Sequence, residues 1–368
     1  MISKLRSSDW YSEPVLNGLI AILLVVLGSW TVFVTPESDF VQNYVAARGW
    51  TVGLDPNGKT AELRLLCCLD SPVPHSSIPQ TAHPPFATLF VMPWALLPWD
   101  LARWLWMLFG CVMVLWAWHL LEVPALIRLL TLSFVLVALS LGAFEPLLFA
   151  CVAYMLWQVD RSPVRAGVAL GLAIAIKTYP LVLLFGLVVT KRWRAAGAAV
   201  ITAGVLTVLA ELILGFGVTR DWLAYVPVNS LAQADQAWNV STVRVARVII
   251  PNLSPTLAFI GMFLFFGLTM IPALRRDPDL KQLVPVMLLV SPISWAHYFL
   301  FLATVKLPRY ILALLSVSAL VLYLVWVRFI PGAGLAPVVY GTLLLIAMLV
   351  WYLNVRAGLR AAQPSASS

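Results

Sequence analysis

RAGVALGLAIAIKTYPLVLLFGLVVTKRWR, residues 165–194, decides how this chain is folded. Apolar residues fill it from Ala166 to Thr190, apart from one interruption at Lys177-Thr178-Tyr179-Pro180. Arg161 and Arg165 stand before it, and Lys191, Arg192 and Arg194 stand after it. A single helix would carry these two basic clusters to opposite sides of a bilayer, against the tendency of Lys and Arg to stay on the inner side. Two short arms folded about Lys177 keep both clusters inside and put Lys177 at an outer turn. The same choice recurs around Ser291–Tyr298, with Lys281 before it and Lys306 and Arg309 after it. Hairpins at both places give about twelve membrane segments with both chain ends inside, and single crossings give about ten.

Composition makes the membrane the premise. Of 368 residues, 61% are hydrophobic and 11% charged, and the mean hydropathy is +0.92. Soluble domains carry about 45–50% apolar and about 25% charged residues. So few charges cannot cover a water-facing globule of this size, which excludes a soluble enzyme and a disordered chain. The net charge of +8 sits in short breaks between apolar runs, which is the pattern of inner loops and not of a nucleic-acid surface. The four cysteines contain no spaced Cys-x-x-Cys pair, which excludes a disulfide scaffold and a zinc site. The adjacent Cys67 and Cys68 would be strained if paired with each other, and no role is assigned to them.

The chain therefore reads as one integral membrane unit over 1–368, all-α and polytopic. Val15–Val34 is a retained first helix starting inside, followed by a polar outer loop over 35–100 that holds Asp39, Arg48, Asp55, Lys59, Arg64 and Asp70. Phe86–Pro98, broken by Pro93, is a juxtamembrane or re-entrant helix on the outer side. Leu101–Leu121 and Leu126–Leu141 follow, then Pro146–Val159, Ala166–Ile176, Leu181–Thr190 and Ala195–Leu214. A second polar loop, 215–255, carries Arg220, Asp221, Asp235, Asn239, Arg244 and Arg247. The last segments are Thr256–Leu274, Leu283–Pro292, Phe299–Val305, Ile311–Phe329 and Leu335–Val355.

An ionisable group at the bilayer centre costs about 2.5–3.5 kcal/mol on insertion scales, so each one needs a partner, a cavity or a task. Lys177 either snorkels to the outer headgroups or binds an anionic group arriving from the outer leaflet. His297, beside Trp295 and Tyr298, is either an interfacial belt residue or a hydrogen-bond donor or base at an outer cavity. Glu145 either marks a loop or lines the site. Glu211 either pairs with a neighbouring helix or faces the outer boundary. Asp39 either sits in the first turn of a helix capped by Ser38 or is a carboxylate placed to take a proton from a sugar hydroxyl. Arg244 and Arg247, three apart, share a helix face and either clamp a phosphate or uronate or rest on headgroups.

Several pieces, in order, make up a pattern: SDFVQNYVAAR from Ser38 with Gly53 and Asp55 after it, HPPF at 83–86, GLAIAIKTYP ending at Pro180, Asn239-Val240-Ser241 with a downstream arginine, and SPISWAHY ending at Tyr298. Together they resemble the family-87 glycosyltransferases, the polyprenol-phosphate-mannose-dependent mannosyltransferases of the GT-C superfamily. The chain departs from that pattern at His83, where many relatives have Tyr before the prolines. It departs again at Gly142 with Glu145, where a Gly-Gln pair is common.

The resemblance implies a GT-C-type fold in the plasma (inner) membrane with a catalytic cavity on the outer, periplasmic side beneath the first long loop. It also implies a polyprenyl phosphate sugar donor, most often carrying mannose, and a glycolipid or glycan acceptor amid membrane lipids, with no nucleic acid involved. The expected chemistry is an inverting single displacement with Asp39 as general base and His297 as donor or auxiliary base. Lys177, Arg244 and Arg247 would hold the donor phosphate. Tyr44, Arg48, His83, Glu145, Tyr179, Asn239 and Trp295 would contact substrate. The first loop holds no Asp-x-Asp pair, so neither a metal nor another cofactor is expected. Rival readings are a transporter or flippase of a lipid-linked sugar, which would place its polar groups at mid-membrane, and a non-catalytic envelope subunit.

Overall fold

The computed structural model describes residues 13–34, 38–68, 73, 80–234, 239, 241–250, 252–291, 293–305 and 307–326. Met1–Trp10, Leu335–Val355, Asp70, Asp235 and Lys306 lie outside the described residues. All regular structure among the described residues is helical. It comprises α1 (Glu13–Val34), α2 (Ser38–Thr51), α3 (Thr60–Cys67), α4 (Pro85–Ala95), α5 (Trp99–Leu120), α6 (Ala125–Ser140), α7 (Glu145–Gln158) and α8 (Pro163–Ile176). These are followed by α9 (Leu181–Val189), α10 (Trp193–Leu214), α11 (Val218–Ala234), α12 (Thr242–Ile249), α13 (Pro255–Arg276), a short 3-10 helix (Leu280–Gln282), α14 (Leu283–Leu289), a second 3-10 helix (Ala296–Thr304) and α15 (Arg309–Trp326).

Among the described residues, three helices are long and apolar enough to cross a membrane: Trp99–Leu120, Trp193–Leu214 and Thr256–Arg276. Several shorter apolar helices surround them. On α10 the side chains of Val200, Ile201, Val205, Val208 and Leu212 are all exposed, a continuous apolar face that suits lipid and not water. Proline starts many of the elements: Pro85, Pro146, Pro163 and Pro255 occupy first-turn positions of α4, α7, α8 and α13, where the missing N–H has no intrahelical partner in any case.

The quoted stretch 165–194 folds as two arms. α8 ends at Ile176, Lys177 is extended, and α9 begins after Pro180, whose ring disfavours helix in the residue before it. Gly167 lies against Ala195, Ala198 and Ala199, and Gly171 against Ala199, Thr202 and Ala203. α8 and α10 therefore run in the same direction, and α9 between them runs back. A Cβ at Gly167 would fall 2.2 Å from the Ala195 carbonyl oxygen, so only glycine permits this approach. The base of the hairpin is closed by Arg192 on Asp160, 2.9 Å apart, which puts the residues before α8 and those before α10 at the same end.

The second candidate hairpin is built the same way. α7 and the 3-10 helix Ala296–Thr304 run together, with Glu145 beside His297 and Phe149 beside Phe301. α14 meets α9 and leads up into the turn that precedes His297.

The polar loops lie together at the opposite end from Asp160. Asn57 Nδ2 donates to the Val218 carbonyl at 3.0 Å, and Trp222 Nε1 donates to the Ala82 carbonyl at 3.2 Å. Glu211 settles between its two readings as a cap. Its oxygens accept the backbone N–H groups of Gly217 and Thr219, each at 2.7 Å, at the start of α11. Cys67 and Cys68, to which no role is assigned from sequence, are joined to each other at the end of α3.

Candidate functional site

α2 enters the bundle against the α6–α7 turn. The N–H groups of Asp39 and Phe40 both donate to the Leu141 carbonyl, at 3.1 and 3.3 Å. Gly142 has φ +60, and a Cβ there would meet Phe40 Cβ at 2.4 Å. The turn can press on α2 only because this residue is glycine. Trp106 Nε1 donates to the Gly142 carbonyl at 2.9 Å and fixes the turn from α5. That contact sets Asp39 beside Glu145, the first residue of α7.

The turns at Leu141–Phe144 and Lys177–Pro180 and the residues Ile293–Trp295 meet the start of α2 at one end of the bundle. Their polar side chains form a single cluster. Glu145 is fully buried, and its Oε1 lies 2.7 Å from Lys177 Nζ. Its Oε2 lies 3.4 Å from His297 Nε2. One donor atom each from Asp39, Glu145 and His297 falls within 4.8 Å of the others. Lys177 stands 4.5 Å over the Tyr298 ring, which stacks on Tyr179 at 5.2 Å. An ammonium held against a carboxylate and an aromatic face is stabilised in a medium of low dielectric.

Asp39 is half-buried in α2, which lies outside the three long apolar helices. Burial raises its pKa above the ordinary carboxylate value, against the opposing pull of Lys177 and His297. A carboxylate in that condition is a stronger base than a solvated one. Several other buried polar atoms in this region lack a hydrogen-bond partner: His297 Nδ1, the Tyr179 hydroxyl, Asn43 Oδ1 and Gln42 Nε2. Such atoms are costly to leave unsatisfied, and their concentration at one end marks a place prepared for a polar ligand.

Of the residues expected to contact substrate, the structure brings Glu145 and Tyr179 into the cluster with Asp39, Lys177 and His297. His83 approaches it through Asn43, whose Nδ2 reaches His83 Nδ1 at 3.1 Å and the Asp39 carbonyl at 2.8 Å. Asn239 is buried and supports the His297 turn from below. Its Oδ1 accepts the N–H groups of Ser294 and Ser241, at 3.1 and 3.0 Å. Trp295 is the residue next to Ser294 in that turn.

Tyr44 and Arg48 are engaged elsewhere. The Tyr44 hydroxyl donates to the Leu97 carbonyl at 2.8 Å and Arg48 Nη1 to the Ala95 carbonyl at 3.0 Å, so both secure the end of α4. Arg247 Nη1 donates to the Leu253 carbonyl at 3.1 Å, and the Arg244 N–H is capped by Ser241. The reading of single residues overlooked Asn43 and Tyr298. Both lie inside the quoted motifs, but only the tertiary fold shows what they touch.

Two comparisons with known proteins bear on this geometry. The profile of Glycosyltransferase family 87 matches residues 82–292, a span that holds His83, Glu145, Lys177 and Asn239 and ends just before His297. No curated protein matches the chain.

Proposed function

The chain belongs to glycosyltransferase family 87, and from that premise we propose that it moves a sugar from a polyprenyl phosphate to a glycolipid or glycan acceptor. Mannose is the sugar the family resemblance favours. One observation carries the reading: a half-exposed carboxylate, Asp39, stands within 4.8 Å of a sealed Glu145–His297 pair whose other oxygen holds Lys177.

In the proposed step Asp39 takes the proton of the acceptor hydroxyl as its oxygen attacks the anomeric carbon. The bond from that carbon to the phosphate oxygen breaks, and polyprenyl phosphate leaves as the anion. No strong acid is needed for such a leaving group. A fixed cation lowers the barrier by meeting the charge that builds on it, and Lys177 is assigned that task. Glu145 holds the ammonium in place and His297 closes the other side of Glu145. Arg244 and Arg247 are proposed contacts of the lipid phosphate farther out. Tyr179, Trp295 and Asn239 line or support the sugar site.

Asp39, Glu145 and His297 also have the spacing of metal ligands. The Lys177 ammonium already compensates Glu145 at 2.7 Å, so no divalent ion is assigned. Undiminished activity in excess chelator is the expected result, and activity lost to chelator and restored by added metal would overturn that assignment.

The proposed topology has about twelve membrane segments, with the cluster end outward and both chain ends cytoplasmic. Its support is the Asp160–Arg192 closure at a basic end carrying Arg161, Arg165, Lys191, Arg194, Arg275 and Arg276, together with the two polar loops packed on one another at the other end. The membrane in question is the plasma membrane. Convergence of the polar groups at one end, and not at mid-bundle, favours an enzyme over a flippase. The deciding experiment incubates purified protein with labelled polyprenyl phosphate mannose and a panel of lipid acceptors. Acceptor-dependent release of polyprenyl phosphate supports the reading, and no transfer from any lipid-linked sugar overturns it.

A further inference from the structure

Asn43 is a buried residue of α2, and its amide makes two contacts from one atom: 2.8 Å to the Asp39 backbone carbonyl and 3.1 Å to His83 Nδ1. A backbone carbonyl can only accept, so the atom facing it is the amide nitrogen and not the oxygen. The second hydrogen of that nitrogen then points at His83 Nδ1, which must be the bare, accepting nitrogen of the ring. The ring proton is left on Nε2. This tautomer is assigned from the hydrogen-bond network, and the network admits no other arrangement in which both contacts are hydrogen bonds and the ring stays neutral.

The rest of the site keeps the ring neutral. His83 is 4% exposed and packs edge-on against Phe144, the neighbour of Glu145, with ring centres 5.1 Å apart. Burial, and then the nearby charge of Lys177, push its pKa down to about 3. Nε2 is the ring's remaining polar atom. Among the described residues the ring's hydrogen bond is the one at Nδ1, and none is made at Nε2. A locked ring thus offers one N–H, close to the backbone of the proposed base.

We propose that His83 is a permanently neutral Nε2–H donor that binds a carbohydrate hydroxyl in the candidate site, with Asn43 as the positioning residue that locks its tautomer. The inference rests on the reading of the chain as a sugar transferase and adds to it a specificity-determining contact. A neutral donor suits a hydroxyl. A second cation here would compete with Lys177 for phosphate and would weaken Asp39 as a base. The donor sugar and the acceptor sugar both offer this chemistry, and the kinetic arms below tell them apart.

The test has two readouts. Protein labelled with 15N-histidine in lipid nanodiscs, with His83→Phe to identify the resonances, reports which ring nitrogen carries the proton. The expected result is Nε2–H with bare Nδ1 throughout the range of about pH 5–8 in which an ordinary histidine changes charge. An imidazolium at neutral pH, or a proton on Nδ1, overturns the proposal.

The second readout is kcat/KM for wild type, His83→Phe and His83→Gln with singly deoxygenated donor sugars and, separately, deoxygenated acceptors. His83→Phe should lose roughly tenfold, the worth of one neutral hydrogen bond. His83→Gln restores an N–H at similar reach and should recover most of that loss, which guards against a variant that merely packs badly. One deoxy analogue should be transferred equally by wild type and His83→Phe, and its arm names the sugar contacted. Penalties that multiply for every analogue overturn the hydroxyl contact. A wild-type protein inert toward every lipid-linked sugar overturns the transferase reading, and the hydroxyl assignment with it, while the spectrum still decides the tautomer.

Discussion

Two ion pairs close the hairpin region at opposite ends, and they differ in almost everything but charge. Lys177 and Glu145 meet at 2.7 Å with side-chain exposures of 14% and 0%. Arg192 and Asp160 meet at 2.9 Å with exposures of 21% and 75%. The second pair is the more exposed and closes the base of the hairpin. The first lies out of water, is joined by His297 and Asp39, and leaves several polar atoms unsatisfied around it. A fold gains little from the Glu145 arrangement as a fastener, because desolvating two charges offsets most of their attraction. Its cost makes sense as preorganisation of a reacting site.

The largest effect that would sharpen this contrast belongs to Asp39. Asp39→Asn removes the proposed base and keeps the shape, and general-base catalysis contributes about 10²–10⁴-fold. Transfer should fall by that factor while membrane insertion is unchanged. A correctly inserted variant working at the wild-type rate removes Asp39 from the mechanism. Stability should move the other way. A carboxylate whose folded pKa is raised gives stability that is full below its unfolded pKa and is lost as pH rises through the folded one. At neutral pH the ionised Asp39 is therefore a burden, and Asp39→Asn should melt no lower than wild type. A lowered Tm in detergent at neutral pH would contradict the burial that raises its pKa.

Next in size is the buried pair itself. Glu145→Gln leaves Lys177 charged and unpaired inside, and breaking such a pair costs about 3–5 kcal/mol. The double variant Glu145→Met with Lys177→Met removes both charges and should recover most of the stability but none of the transfer. Thermal unfolding and the transfer assay, measured on the same samples, separate the two roles. Recovered activity in the double variant would reduce the cluster to a fastener like its partner at the base.

A smaller and graded effect is expected with pH. The proposed step requires ionised Asp39, so kcat/KM should fall on the acid side through a pKa above the ordinary 3.8, in the direction burial imposes. An acid limb at or below the ordinary carboxylate value would mean that Asp39 is solvated in the working enzyme. His83 should add no limb near neutrality, since its pKa lies near 3.

These two ends were unequally legible in the sequence. The hairpin could be read because Arg161, Arg165, Lys191, Arg192 and Arg194 obey a one-sided rule that acts along the chain. Asp39, Lys177 and His297 stood out because each is expensive where it stands. The centre of the cluster was harder. Glu145 looked as much like a loop marker as a site residue, since its meaning comes from Lys177, 32 positions away, and from His297. Tyr44 and Arg48 sit in the same motif as Asp39, yet on a helix neighbours in sequence face different ways. They hold α4, and Asn43 in that motif turns toward the site. A motif records which residues occur together and leaves open which of them share a face.

The least effect should come from the base. An exposed pair such as Arg192–Asp160 is worth about 0–1 kcal/mol and is screened by salt. Arg192 Nη1 also donates to the Pro278 carbonyl at 3.1 Å, so Arg192→Ala removes two contacts and Asp160→Asn only one. Arg192→Ala should lower Tm slightly more than Asp160→Asn, and both should leave transfer at the wild-type rate. Raising the salt concentration should erase the effect of Asp160→Asn but not that of the lost bond to Pro278. If either variant instead lost transfer as the cluster variants do, the two ends of the hairpin would be coupled mechanically. The apex would then depend on the charge at the base, and the distinction between fastener and site would fail.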